Sequence, residues 1–160
     1  MIKVLFVCLG NICRSPLAEG IFKEEIKKRG WQHLVEVDSA GTSTYHLGED
    51  PDPRSIEIAA ANKITLKHKG RQITLNDLHE FDYVLAMDQE NFRDIQRLKA
   101  KNQRASLFLM REFENDVTEK DVPDPYFGGD NGFQRVYEML DRTIQNLLAH
   151  MAQEHEELKK

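Results

Sequence analysis

Only two cysteines, Cys8 and Cys13, occur among the 160 residues. Their Cys-x4-Cys spacing is not the Cys-x2-Cys of a zinc ribbon, and the six histidines form no His-x3-His pair, so neither a structural metal nor a cofactor is expected. Long apolar runs are missing too. Nothing approaches the roughly 18 residues of a membrane span, and the first segment has neither a basic n-region nor a cleavage site, which points to a cytoplasmic chain with no membrane insertion and reduced thiols. No Gly-x4-Gly-Lys-Ser/Thr and no Gly-x-Gly-x2-Gly is present, which disfavours the nucleotide-binding α/β proteins. With 22 basic against 27 acidic residues and a net charge of −5, nucleic acid is not the expected partner. There is no internal repeat and no low-complexity linker, and the length suits one domain with a sizeable core.

What is present is an alternation of periods. Short β-type runs at 2–7, 34–39, 82–86 and 105–109 are followed by amphipathic stretches near 16–29, 53–62, 88–99 and 131–151. That order predicts one α/β domain over 1–160, with a central four-stranded parallel sheet flanked by helices on both faces. In the last stretch Phe133, Val136, Tyr137, Leu140, Ile144, Leu147, Leu148 and Met151 keep an i, i+3, i+4, i+7 stripe, which reads as core rather than as a binding face. Residues 152–160 lose the stripe and are expected to fray. A monomer is expected.

Directly after the first strand run stands Cys8-Leu9-Gly10-Asn11-Ile12-Cys13-Arg14-Ser15, followed by Pro16 and a helical pattern. A strand that passes through such a loop into a helix aims backbone N–H groups and a positive helix end at one point, which suits an anion. Gly10 and Asn11 are the residue types that tolerate left-handed backbone, and Ser15-Pro16 fits an N-cap with proline at the first helical position. The N–H groups and a guanidinium favour thiolate at Cys8 and so a nucleophile. Arg14 supplies that guanidinium, a planar fork matched to two phosphoryl oxygens. The competing reading is a buried strand-end cysteine before an ordinary capped helix, with Arg14 merely solvated. A loop after the first strand is also where ligands sit in an open parallel sheet.

Four segments in order, Val7-Cys8-Leu9-Gly10-Asn11-Ile12-Cys13-Arg14-Ser15, Asp38-Ser39-Ala40-Gly41-Thr42, Asp52-Pro53-Arg54 and Val122-Pro123-Asp124-Pro125-Tyr126, resemble the low-molecular-weight protein tyrosine phosphatases over nearly the whole chain. The resemblance implies a metal-free cytosolic phosphomonoesterase acting on phosphotyrosine proteins and aryl phosphates and bound by phosphate and other oxyanions. Cys8 is then nucleophile, residues 9–15 the phosphate site with Arg14, and Asp124 general acid and base. By composition alone Asp124 reads as an Asp-Pro turn; the family position reverses that preference. Asp88 reads as a helix N-cap, and Asp38 and Asp52 have local explanations. The resemblance further suggests that Asn11 is held by Ser15, Ser39 and His68, with Ser15 donating to the Cys8 sulfur instead of capping the helix. Leu9, Tyr45, Tyr126 and Phe127 match positions that shape a slot for an aryl phosphate, although many relatives carry tryptophan at the place of Tyr45 and a second tyrosine at that of Phe127. Cys13 is the expected redox partner of Cys8, the alternative being a small buried filler.

Other functions share parts of this pattern. A thioredoxin-coupled arsenate reductase has the same fold and Cys-x5-Arg-Ser loop, but needs two further cysteines, and there are none beyond Cys8 and Cys13. A non-catalytic phosphate-binding or redox-sensing module does not need Asp124, and a phosphocysteine carrier does not need Arg14.

Overall fold

The computed structural model describes residues 1–115, 118–127 and 131–159, and of Phe127 the backbone alone. Its strands are β1 (Ile2–Cys8), β2 (Val35–Gly41), β3 (Tyr83–Ala86) and β4 (Ser106–Leu109); its helices are α1 (Arg14–Lys28), α2 (Pro53–Ala61), α3 (Asp77–Glu80), α4 (Gln89–Gln96) and α5 (Gly132–Glu154). The sheet runs β2-β1-β3-β4 with every pair parallel. Because β1 is covered on both faces, its sequence is a nearly unbroken apolar run rather than an alternation. Val4, Phe6 and Cys8 enter the layer made with Leu17 and Ile21 of α1 and Leu140, Ile144 and Leu147 of α5. Leu5 and Val7 face the other way, against Leu78 of α3 and Ile95 of α4. The expected architecture, one α/β domain with helices on both faces, is the one observed.

Local chemistry accounts for the helix starts. Asp52 caps α2 by accepting from the Arg54 N–H at 2.8 Å, with Pro53 at the first helical position, and Asp88 caps α4 by accepting from the Asn91 N–H at 2.8 Å, as Asp ahead of a helical run does. At α1 Ser15 does not cap: the helix begins at Arg14 with Cys13 at the N-cap position. Ser15 lies inside the first turn, where its hydroxyl is spent on Cys8 and Asn11. Nor do residues 152–159 fray. Helix α5 continues to Glu154, a 3-10 turn spans Glu156–Leu158, Leu158 is only 3% exposed, and His155 Nε2 lies 2.8 Å from the Tyr83 hydroxyl. A single apolar residue after a polar stretch carries no periodicity from which docking can be read.

From β1 the chain moves to β2 on one side and later returns to β3 on the other. The connections leaving the carboxyl ends of β1 and β3 therefore diverge and open a crevice. The loop 9–13 and Asp88 both stand at its mouth.

Candidate active site

Cys8 ends β1 and is 2% exposed, and the loop folds back over its sulfur. The Asn11 N–H donates to Sγ at 3.3 Å, and Ser15 Oγ lies 3.0 Å from it. Backbone bonds pin the loop from outside: the Thr42 N–H donates to the Cys8 carbonyl at 2.9 Å, Ser43 to Leu9 at 3.0 Å and Asp52 to Ile12 at 2.7 Å. Such an approach of β2 needs Gly41, where a Cβ would meet the Leu9 oxygen at 2.7 Å. Gly10 serves close packing rather than left-handed backbone, since a Cβ there would lie 2.9 Å from the His46 ring, which would have to shift, while its φ is not among the positive ones.

Asn11 carries the left-handed conformation, at φ 58°. A non-glycine residue holds it only when its surroundings over-determine it, and here the side chain is fully engaged. Nδ2 donates to Ser15 Oγ at 2.9 Å and Ser39 Oγ at 3.0 Å, and Oδ1 accepts from His68 Nε2 at 2.7 Å and the Arg71 N–H at 3.0 Å. The structure thus brings together Asn11, Ser15, Ser39 and His68. With Asn11 donating to it, the Ser15 hydroxyl can turn its own hydrogen to the sulfur at 3.0 Å, nearer than the Ala40 carbonyl at 3.4 Å.

Two members of this network were not anticipated, Arg71 and Glu19. Glu19 Oε1 accepts from Ser39 Oγ at 2.7 Å and lies 3.1 Å from His68 Nδ1, while Oε2 accepts from Lys23 Nζ at 2.8 Å. Burial pushes the Glu19 carboxyl up, but bonds from His68, Lys23 and Ser39 outweigh it and hold it below the usual carboxylate range. The sequence signal was present: Ser15, Glu19 and Lys23 are spaced i, i+4 on one face of α1.

Arg14 is 2% exposed. Its Nη1 donates to Asp88 Oδ2 at 2.7 Å and to the Val122 carbonyl at 2.9 Å, and Nη2 lies 3.7 Å from Asp124 Oδ2. Burial opposes the charge, yet Cys8, Asp88 and Asp124 together hold the guanidinium above its ordinary pKa. Asp88 therefore does two jobs, one oxygen capping α4 and the other fixing Arg14; only the first was foreseen.

Above the sulfur opens a small cleft lined by Cys8, Leu9, Gly10, Ile12, Cys13, Arg14, Asp124 and Tyr126. Asp124, its side chain one-third exposed, comes from a segment clipped to the residue after β3 by the Val122 N–H on the Met87 carbonyl at 2.7 Å, and its Oδ1 accepts from the Tyr126 N–H at 3.0 Å. Of the four expected slot residues, Leu9 and Tyr126 line the cleft. Tyr45 is 77% exposed and outside the lining, and the Phe127 side chain lies outside the described residues. Cys13 is a free, buried thiol like Cys8; burial, and then Asp52, Cys8 and Asp124, push its pKa far up, so it stays protonated. Among the described residues, Glu19, Asp38 and His68 bring three potential metal-ligand atoms within 4.8 Å of one another, but those groups are already occupied by Ser39, Lys23, Arg71 and Asn11.

A buried sulfur under a loop that enters a helix, an anchored arginine and a carboxylate at the rim of a parallel-sheet crevice define a cysteine-based phosphate-handling enzyme. Residues 3–157 match the family model for "Low molecular weight phosphotyrosine protein phosphatase". The chain is 44% identical over 152 residues to the low molecular weight phosphotyrosine protein phosphatase of Schizosaccharomyces pombe, covering 94% of this chain and 97% of that one. The crystal structure of YfkJ from Bacillus subtilis superposes with a TM-score of 0.89 at 38% identity, over 96% of each chain. That of DARP, a drosophila arginine phosphatase, gives 0.89 at 32% identity, over 94% of this chain and 98% of that one. The chain belongs to the low molecular weight phosphotyrosine protein phosphatase family and is a metal-independent protein-tyrosine phosphatase with a cysteine nucleophile.

Proposed function

We propose that this enzyme hydrolyses phosphotyrosine in proteins, and simple aryl phosphates, through a cysteinyl-phosphate on Cys8. The observation that carries the reading is the single cleft in which the Cys8 sulfur, Arg14 and Asp124 converge. The Cys8 thiolate attacks phosphorus, forming the S–P bond as the P–O bond to the phenol breaks, and Asp124 gives its proton to the departing oxygen. Arg14 and the backbone N–H groups of the loop hold the phosphoryl oxygens, as they would hold phosphate or another oxyanion inhibitor. Water then attacks phosphorus, Asp124 takes its proton, and sulfur leaves as thiolate. That sulfur is steadied by the Ser15 hydroxyl and the Asn11 N–H.

Leu9, Ile12 and Tyr126 make the cleft walls largely apolar, which suits an aromatic ring better than a strongly polar phosphoguanidinium. A reducing, cytoplasmic setting suits an enzyme whose two thiols are both free. Turnover of p-nitrophenyl phosphate, a phosphotyrosine peptide and a phosphoarginine peptide in the presence of chelator, alongside arsenate with thioredoxin, tests the assignment. Chelator-resistant turnover of the two aryl phosphates, lost in Cys8→Ser while that variant still binds phosphate, is the expected result. Preference for phosphoarginine, or thioredoxin-dependent arsenate reduction, overturns it.

A further inference from the structure

Arg54 stands in the first turn of α2 with its side chain 46% exposed, outside the groups that touch the Cys8 sulfur. Its guanidinium grips Asp52 with two nitrogens, Nε on Oδ1 and Nη2 on Oδ2, each at 3.0 Å. Asp52 in turn ties into the phosphate loop through its N–H on the Ile12 carbonyl at 2.7 Å. On the other side, Arg54 Nη1 donates to the Tyr126 carbonyl at 3.3 Å, and the guanidinium lies 5.2 Å from the centroid of the Tyr126 ring and 4.6 Å from that of Phe133. Tyr126 closes the chain, because its N–H donates to Asp124 Oδ1 at 3.0 Å. Contacts therefore run without a break from Ile12 through Asp52, Arg54 and Tyr126 to Asp124, joining the floor of the cleft to the carboxylate at its rim.

We propose that Arg54 is a positioning residue for Asp124, setting the height and direction of the carboxylate over the cleft without touching substrate. The proposal rests on Asp124 being the general acid. An exposed ion pair adds little to stability, whereas proton transfer is sensitive to displacements of an ångström or less. A guanidinium can hold a carboxylate with two nitrogens while presenting a flat face to two rings; an ammonium cannot. The flanking prolines restrict the backbone of Asp124 but do not fix the distance of its segment from the loop, and the Arg54 bridge spans that distance.

The test compares Arg54→Ala, Arg54→Lys and Asp124→Ala across aryl phosphates whose phenols are graded in acidity, with phosphate inhibition and thermal melting measured on each. Arg54→Ala is expected to lower kcat roughly 10-fold for phenyl phosphate and no more than about 3-fold for the most acidic phenol, the same gradation as Asp124→Ala in smaller size. Phosphate inhibition and melting should hardly move, Arg54→Lys should behave like Arg54→Ala, and adding Arg54→Ala to Asp124→Ala should cost nothing further. A flat series for Arg54→Ala beside a graded one for Asp124→Ala overturns the Arg54 role alone, as does full rescue by lysine or a loss confined to KM. A flat series for Asp124→Ala overturns the acid reading, and this role with it.

Discussion

In the proposed mechanism the Cys8 sulfur attacks phosphorus and later leaves it, and the groups around it bear unequally on the two steps. The Ser15 hydroxyl, 3.0 Å from Sγ, helps the leaving sulfur more than the attacking one, because charge returns to sulfur as the phosphocysteine is cleaved. Ser15→Ala should therefore slow hydrolysis of the intermediate more than its formation, and after rapid mixing with p-nitrophenyl phosphate the steady release of p-nitrophenol should fall more than the rate of its first turnover; equal slowing of both steps would contradict this. In the redox exchange that the resemblance implies, the Cys13 thiol gives up its proton and attacks a sulfenic acid formed on Cys8 by peroxide, the two sulfurs joining as that proton leaves with the hydroxyl as water. Activity should return with dithiothreitol in the parent enzyme but poorly in Cys13→Ser, and peptide mass spectrometry should find the Cys8–Cys13 bridge; sulfinic Cys8 beside a free Cys13 would refute the exchange. At this scale Cys8, Asn11 and Arg14 were legible from loop chemistry and spacing, whereas Ser15, Ser39 and His68 as the partners of Asn11, and Asp124 as the acid, were named by the family resemblance alone. Arg71, Arg54 and the second role of Asp88 were not legible, since each acts through a partner distant in sequence; Glu19 was passed over although its i, i+4 spacing with Ser15 and Lys23 was there to read, and Tyr45 was expected at a cleft wall that its exposed ring does not form.

Among the elements, α1 does the most work, because its first turn faces the cleft while its Ser15–Glu19–Lys23 face joins the support network. Glu19 and Glu114 both have carboxyls held below their ordinary value of 4.5. Their ionised forms are stabilised by folding, so that stability is fully present above this pH and is lost as pH falls through the lower folded values. Urea midpoints should drop between about pH 5 and about pH 3, and Glu19→Gln should flatten that dependence; an unchanged slope would mean that the Glu19 bonds carry no linked stability. At the far end, Leu158 docks where fraying was expected. Leu158→Ala should cost about 2–3 kcal/mol by urea unfolding, and a loss below about 0.5 kcal/mol, typical of an exposed position, would place the turn outside the core. The strands were readable as short β-type runs and the long helix from its period, while α3 and the 3-10 turns are too short to have one.

Over the whole molecule, the order β2-β1-β3-β4 puts the two connections that matter, after β1 and after β3, on either side of one crevice. Sulfur and guanidinium come from the first and the anchoring Asp88 from the second, so the fold assembles the site before any substrate arrives. The central claim is that phosphorus is bonded to the Cys8 sulfur during turnover, and acid-quenching the enzyme milliseconds after mixing with p-nitrophenyl phosphate, followed by peptide mass spectrometry, tests it directly. One phosphoryl group on the peptide holding Cys8, localised to that sulfur and absent in Cys8→Ser, is the predicted result; steady turnover with no phosphorylated peptide, or with the phosphoryl group on Ser15 or Cys13, would contradict it.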